Sequence, residues 1–236
     1  MGALAGVMAG VAVGAAAQTV TGIGLVLACG PVLVLLLGAG EAVRVALVTS
    51  LALNAVLVAR QPRAVQWRPA TRLSTPAVAV AIPLAILAHG ADDRALACLA
   101  GAAMITAAGV MSRGRRWPWL LTPAGTLAAG MASGAMNAIA GTAGPFAALY
   151  AVNRGWPSRA RVATLQAYFA VLNAAVLATL GLPRHLAVIA AAGTGLAAGV
   201  LAGHALARRL PGSRTRQLVL LLAAAGGVTL VAQALT

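Results

Sequence analysis

Charge-free apolar stretches alternate along this chain with short polar punctuation. The first stretch covers residues 1–40, and others follow at 45–59, 73–91, 95–112, 117–153, 162–183, 185–207 and 217–236. Most suit one membrane-crossing helix, which needs about 20 apolar residues and accepts about 17 at the short end. Residues 2–38 and 117–153 do not, being 37 residues each. At about 1.5 Å per residue, each would make a single helix of roughly 55 Å. Both must be broken. The polar, glycine-bearing Gln18-Thr-Val-Thr-Gly-Ile-Gly24 marks the first break, and Asn137-Ala-Ile-Ala-Gly-Thr-Ala-Gly144 with Pro145 marks the second. Glycine admits turn dihedrals and proline suits a helix's first turn. Each long run is therefore read as a helical hairpin, either two short spans or two half-helices meeting within the membrane.

Composition agrees. Apolar residues are 61% and charged residues 8%, against roughly 25% charged in a soluble domain. The expected class is an all-α polytopic membrane protein. Abundant Arg, Ala, Gly and Leu fit a GC-rich bacterial coding sequence, and the expected location is the bacterial inner membrane.

Charge adds topology. All 17 basic residues are Arg. Four basic connections hold Arg60, Arg63, Arg68 and Arg72; Arg113, Arg115 and Arg116; Arg154, Arg159 and Arg161; and Arg208, Arg209, Arg214 and Arg216. The intervening connections hold only Arg44, Arg94 and Arg184. Fourteen Arg on one face against three on the other make the first face cytoplasmic by the positive-inside rule. Trp67, Trp117, Trp119 and Trp156 stand beside the rich clusters as interfacial anchors. Both termini are then expected on the non-cytoplasmic side.

The same inventory excludes chemistry. Without Lys there is neither a P-loop nor a Schiff base. Three acids, Glu41, Asp92 and Asp93, are too few for a carboxylate metal centre or a glycosidase pair. Cys29 and Cys98, isolated in apolar runs, read as small buried hydrophobes. No cofactor or metal is expected. The expected partners are a small anionic substrate and membrane lipid, with a homodimer allowed for and no nucleic acid.

Gly22 and Gly141, at corresponding points of the breaks, lie 119 residues apart, about half the chain. Residues 1–116 and 117–236 each read as a broken hairpin plus three transmembrane helices. Five segments is an odd number, so the two repeats are inverted, a pattern that points to a transporter with its site near the midplane.

The residues at the breaks, Thr21-Gly-Ile-Gly24 and Gly141-Thr-Ala-Gly-Pro145, resemble those of the TauE/SafE sulfite exporter family. Arg44-Val-Ala-Leu-Val-Thr-Ser50 and Arg161-Val-Ala-Thr-Leu-Gln-Ala-Tyr168 extend the resemblance over the whole chain, with Leu25 and Ala143 where a further Gly is usual. It implies export of sulfite, sulfonates or other small organic anions.

Helix N-termini left inside a membrane offer N–H groups and a positive dipole end, a charge-free way to hold an anion. Gly22, Gly24, Gly141 and Gly144 would allow close approach, and Gln18, Thr19, Thr21, Asn137 and Thr142 would add donors. Equally, such side chains satisfy the backbone groups that any broken membrane helix frees. Thr49, Ser50, Asn54, Gln166, Tyr168 and Asn173 either line the path or hydrogen-bond between helices. Arg44 and Arg161 read as topology residues, and His204, about one turn from Arg208, as interfacial. No acid falls within a span, so electrogenic efflux without a carboxylate proton relay is expected. The alternatives are a passive anion channel and, remotely, an intramembrane serine protease using Ser133 and His204.

Overall fold

The computed structural model describes residues 2–88, 90–112, 117–207 and 212–235, the side chains of 212–216 excepted. Arg113, Arg115, Arg116, Arg208 and Arg209 lie outside the described residues, as do the side chains of Arg214 and Arg216. The described residues form helices joined by short turns: α1 (Gly2–Thr21), α2 (Leu25–Leu37), α3 (Ala39–Arg60), α4 (Trp67–Ala88), α5 (Asp93–Ser112), α6 (Pro123–Ala140), α7 (Gly144–Asn153), α8 (Ser158–Leu180), α9 (Leu186–Ala207) and α10 (Gly212–Leu235). Seven of these are long and apolar enough to cross a membrane among the described residues.

Both long runs are broken where glycine and proline placed the breaks. The α1–α2 break is Gly22-Ile-Gly24 and the α6–α7 break is Gly141-Thr-Ala143, with Pro145 in the first turn of α7. Gly6, Gly10 and Gly14 of α1 face Leu36, Val32 and Leu25 of α2 in turn, so these helices are antiparallel arms of one hairpin. In the second hairpin the arms start and finish together, as the Trp117 amide donates to Asn153 Oδ1 at 2.6 Å. Each run is thus a hairpin that returns to the end from which it entered.

Two helices set the frame. Arg44 near the start of α3 reaches the Leu180 carbonyl at the end of α8, while Gln61 beyond α3 meets Arg159 at the start of α8. Thus α3 and α8 are antiparallel, with an Arg44 end and an Arg161 end. The first hairpin opens at the Arg44 end and the second at the Arg161 end. Helix α1 lies parallel to α9, with Gly195, Gly199 and Gly203 over Met8, Ala12 and Ala16. Helix α6 lies parallel to α4, with Gly130 and Gly134 over Leu73 and Ala77. Lipid tails are as apolar as the side chains they touch, so such helices gain by close backbone approach, which small residues permit. A Cβ at Gly134 or Gly199 would fall on a carbonyl oxygen of the facing helix. Helix α10 packs on α5, Gly101 and Gly227 each meeting the other's carbonyl.

Candidate functional site

The two hairpin tips meet inside the bundle. Ile23 of the first tip is the nearest neighbour of Gly144 in the second, and Gly141 packs on Ala46 of α3. Between them lies a cavity of about 30 Å³, lined by Gln18, Ile23, Gly24, Leu25, Val26, Ser50, Asn54, Gly141, Thr142, Ala143, Gly144, Phe169 and Asn173. It holds about one water. None of its lining residues is charged. The first residues of α2 (Leu25, Val26) and of α7 (Gly144) line it, so two helix N-termini converge there, each equivalent to about half a positive charge.

Each tip is pinned by side chains. In the first, Gln18 Nε2 donates to Asn54 Oδ1 at 2.9 Å and to Gln166 Oε1 at 3.2 Å. Gln18 Oε1 accepts from the Leu25 amide at 3.1 Å, and Gln166 Nε2 donates to the Gly22 carbonyl at 2.7 Å. In the second, Ser133 Oγ donates to the Ala143 carbonyl at 2.6 Å and accepts from Tyr168 Oη at 2.8 Å. Residues 166 and 168 of one helix, α8, therefore hold both tips. A freed backbone carbonyl inside a membrane costs too much to leave unpaired, which explains a donor at each break.

Some polar atoms have no such use. Asn137 is fully buried one turn before the second break, and among the described residues neither its Nδ2 nor its Oδ1 has a partner, nor does Asn54 Nδ2. A buried unpaired amide carries a penalty of about 1–3 kcal/mol per group.

Two larger vestibules approach the tips from opposite ends. At the Arg44 end, a cavity of about 720 Å³ reaches Ala138 and Ile139 of the second hairpin. At the Arg161 end, one of about 330 Å³ reaches Thr21, Gly22 and Ile23 of the first. The first tip thus floors the vestibule opposite the end from which its hairpin enters, and the last turn of α6, just before the second break, reaches the other.

Of the residues singled out in sequence, Gln18, Gly24, Ser50, Asn54, Gly141, Thr142, Gly144 and Asn173 gather at the central cavity. Thr21 and Gly22 line the Arg161-end vestibule instead. Gln166 and Tyr168 stand behind the tips as props. Thr19 and Thr49 spend their hydroxyls on their own helices, at the Ala15 carbonyl and at those of Val45 and Ala46. Phe169 and Ile23 were missed. Phe169 was within reach, because Gln166, Phe169 and Asn173 sit at i, i+3 and i+7 on one helix face. Arg44 is more than a topology residue: it is buried, donating to the Leu180 carbonyl at 3.0 Å and to Glu41 Oε2 at 3.3 Å. His204 is exposed, taking a bond from Arg60 at 2.6 Å, as an interfacial residue would. Ser133 bonds within the second hairpin and to α8, and His204 bonds to Arg60 and Val200, so the two do not form a dyad.

The family model described as sulfite exporter TauE/SafE matches residues 6–230. No curated protein and no solved structure matches the chain.

Proposed function

Because the chain belongs to the TauE/SafE sulfite exporter family, we propose that it exports a small anion across the bacterial inner membrane by alternating access, binding it between the two hairpin tips. The substrate class is sulfite, sulfonates or other small organic anions. One observation carries this reading: two helix N-termini meet at a buried, charge-free cavity between vestibules at opposite ends. Positive dipole ends and uncharged donors hold an anion without the desolvation penalty of a buried cation. Ser50, Asn54, Thr142 and Asn173 are side-chain donors lining that cavity, and Asn54 Nδ2 and the Asn137 amide, one turn before the second break, are unspent among the described residues.

The orientation proposed puts the end with Arg60, Arg63, Arg68, Arg72, Arg154, Arg159 and Arg161 in the cytoplasm, and both termini outside. We further propose two inverted repeats, residues 1–116 and 117–236. Support comes from the hairpins opening at opposite ends, and from the way α1 lies along α9 as α6 lies along α4. The antiparallel pairs α3–α8 and α5–α10 each take one helix from each half. With a negative interior, each exported negative charge gains about 2.3 kcal/mol per 100 mV, so efflux requires no coupling ion.

Proteoliposomes loaded with sulfite or sulfoacetate test the reading. Saturable efflux, counterflow and acceleration by an inside-negative potential are expected. Flux that does not saturate and shows no counterflow would make the protein a channel. Flux that ignores the potential and follows a proton gradient would overturn uncoupled efflux.

A further inference from the structure

The two vestibules differ in charge. All three carboxylates of the chain, Glu41, Asp92 and Asp93, line the vestibule at the Arg44 end. They come from two places: Glu41 opens α3, while Asp92 and Asp93 open α5. Glu41 Oε1 accepts from the Arg184 amide at 2.7 Å and Asp93 Oδ1 from the Gly40 amide at 3.4 Å, which fixes both carboxylates at the rim. Arg44 and Arg184 share this lining, so carboxylates outnumber guanidiniums there. No acid is left for the other vestibule, where Arg161 is the one charged residue among the described lining residues.

The paired arginines differ too. Arg44 faces Glu41 and a helix-terminal carbonyl, which absorb its charge. Arg161 is half-buried, and among the described residues its guanidinium meets the neutral Ser158 hydroxyl of its own helix, at 3.5 Å, and no carboxylate. Its vestibule floor is Thr21, Gly22 and Ile23, the first hairpin tip.

We propose that Arg161 is a capture site for a small oxyanion at the mouth leading to the first tip, and that the carboxylates of the opposite vestibule weaken binding of the same anion from their side. The proposal rests on the transport reading and orientation above. Fixed charges do not alter the equilibrium distribution of an anion across the membrane. They set how much anion each face needs for half-saturation, because a cleft lined by one sign of charge raises or lowers the local counter-ion concentration. An exporter built this way loads at low internal anion and resists inhibition by the anion it has already released.

Half-saturation for sulfite, measured separately from each face in oriented proteoliposomes, tests this. Arg161→Gln is expected to raise half-saturation on the Arg161 face roughly three- to tenfold at low salt, with the outward maximal rate held within about twofold. Arg161→Lys should restore it, and added salt should shrink the difference between wild type and Arg161→Gln. Asp92→Asn with Asp93→Asn keeps the hydrogen-bonding shape, and is expected to let external sulfite inhibit efflux at about threefold lower concentration. Equal half-saturation in wild type and Arg161→Gln, or an equal change on both faces, overturns the proposal alone. Wild-type vesicles that move no anion overturn the transport reading and this proposal with it.

Discussion

Gln18 and Asn137 stand at corresponding places, each one turn before the glycine that ends its helix, yet they are used differently. Gln18 spends its amide completely: it caps the start of α2 through Leu25 and ties α1 to Asn54 and Gln166. Asn137 spends nothing, although it is equally buried. The first tip is closed on itself. The second keeps hydrogen-bonding capacity in reserve, and α7 opens at Gly144 behind Ala143, with no side-chain cap. On the transport reading proposed above, two tips of similar sequence would divide the labour, one holding shape and one left with donors for the anion.

Asn137→Ala separates shape from binding most sharply. Efflux is expected to fall at least tenfold, while the melting temperature in detergent stays level or rises, because an unpaired buried amide is removed. A lower melting temperature with intact flux would show Asn137 to be a structural residue, and the contrast with Gln18 would collapse. Gln18→Ala should do the opposite, lowering stability by about 2–3 kcal/mol as the Leu25 amide and the Asn54 and Gln166 oxygens lose their partner. Its flux should follow the folded fraction.

Backbone strain sharpens the comparison further. Gly24 has φ 119° and a Cβ there would lie 2.9 Å from Val219, so Gly24→Ala is expected to cost about 2 kcal/mol. Gly141, at φ 64° and ψ 12°, is in the ordinary left-handed region, with Ala46 Cβ 3.2 Å away. Gly141→Ala should cost about 1 kcal/mol, read as a smaller drop in melting temperature. Tyr168→Phe is the mildest change: Ser133 keeps the Ala143 carbonyl, and a loss of about 1 kcal/mol with less than a threefold change in flux is expected.

Much of this was legible in residue order. Uncharged runs too long for one span, with Gly22, Gly24, Gly141 and Pro145 inside them, located both breaks, because a membrane helix has few reasons to carry such residues together. The direction of individual side chains was not legible. Helices α1, α3 and α8 are apolar nearly all round, so no amphipathic stripe distinguishes Gln18 from Thr19 or Ser50 from Thr49. Which neighbour a donor meets depends on contacts such as that between residues 18 and 166, set by helix packing and not by spacing. Ser133 as a strap for Ala143, and Glu41 beside Arg184, belong to the same class.

The two props on α8 have a mechanical consequence. Gln166 hooks the first tip at the Gly22 carbonyl and Tyr168, through Ser133, hooks the second at the Ala143 carbonyl. They sit two residues apart on a single helix, so a shift of α8 would be felt at both tips. Under the alternating access proposed above, this shared rod would keep the two tips in step, the property that separates a carrier from a pore open at both ends.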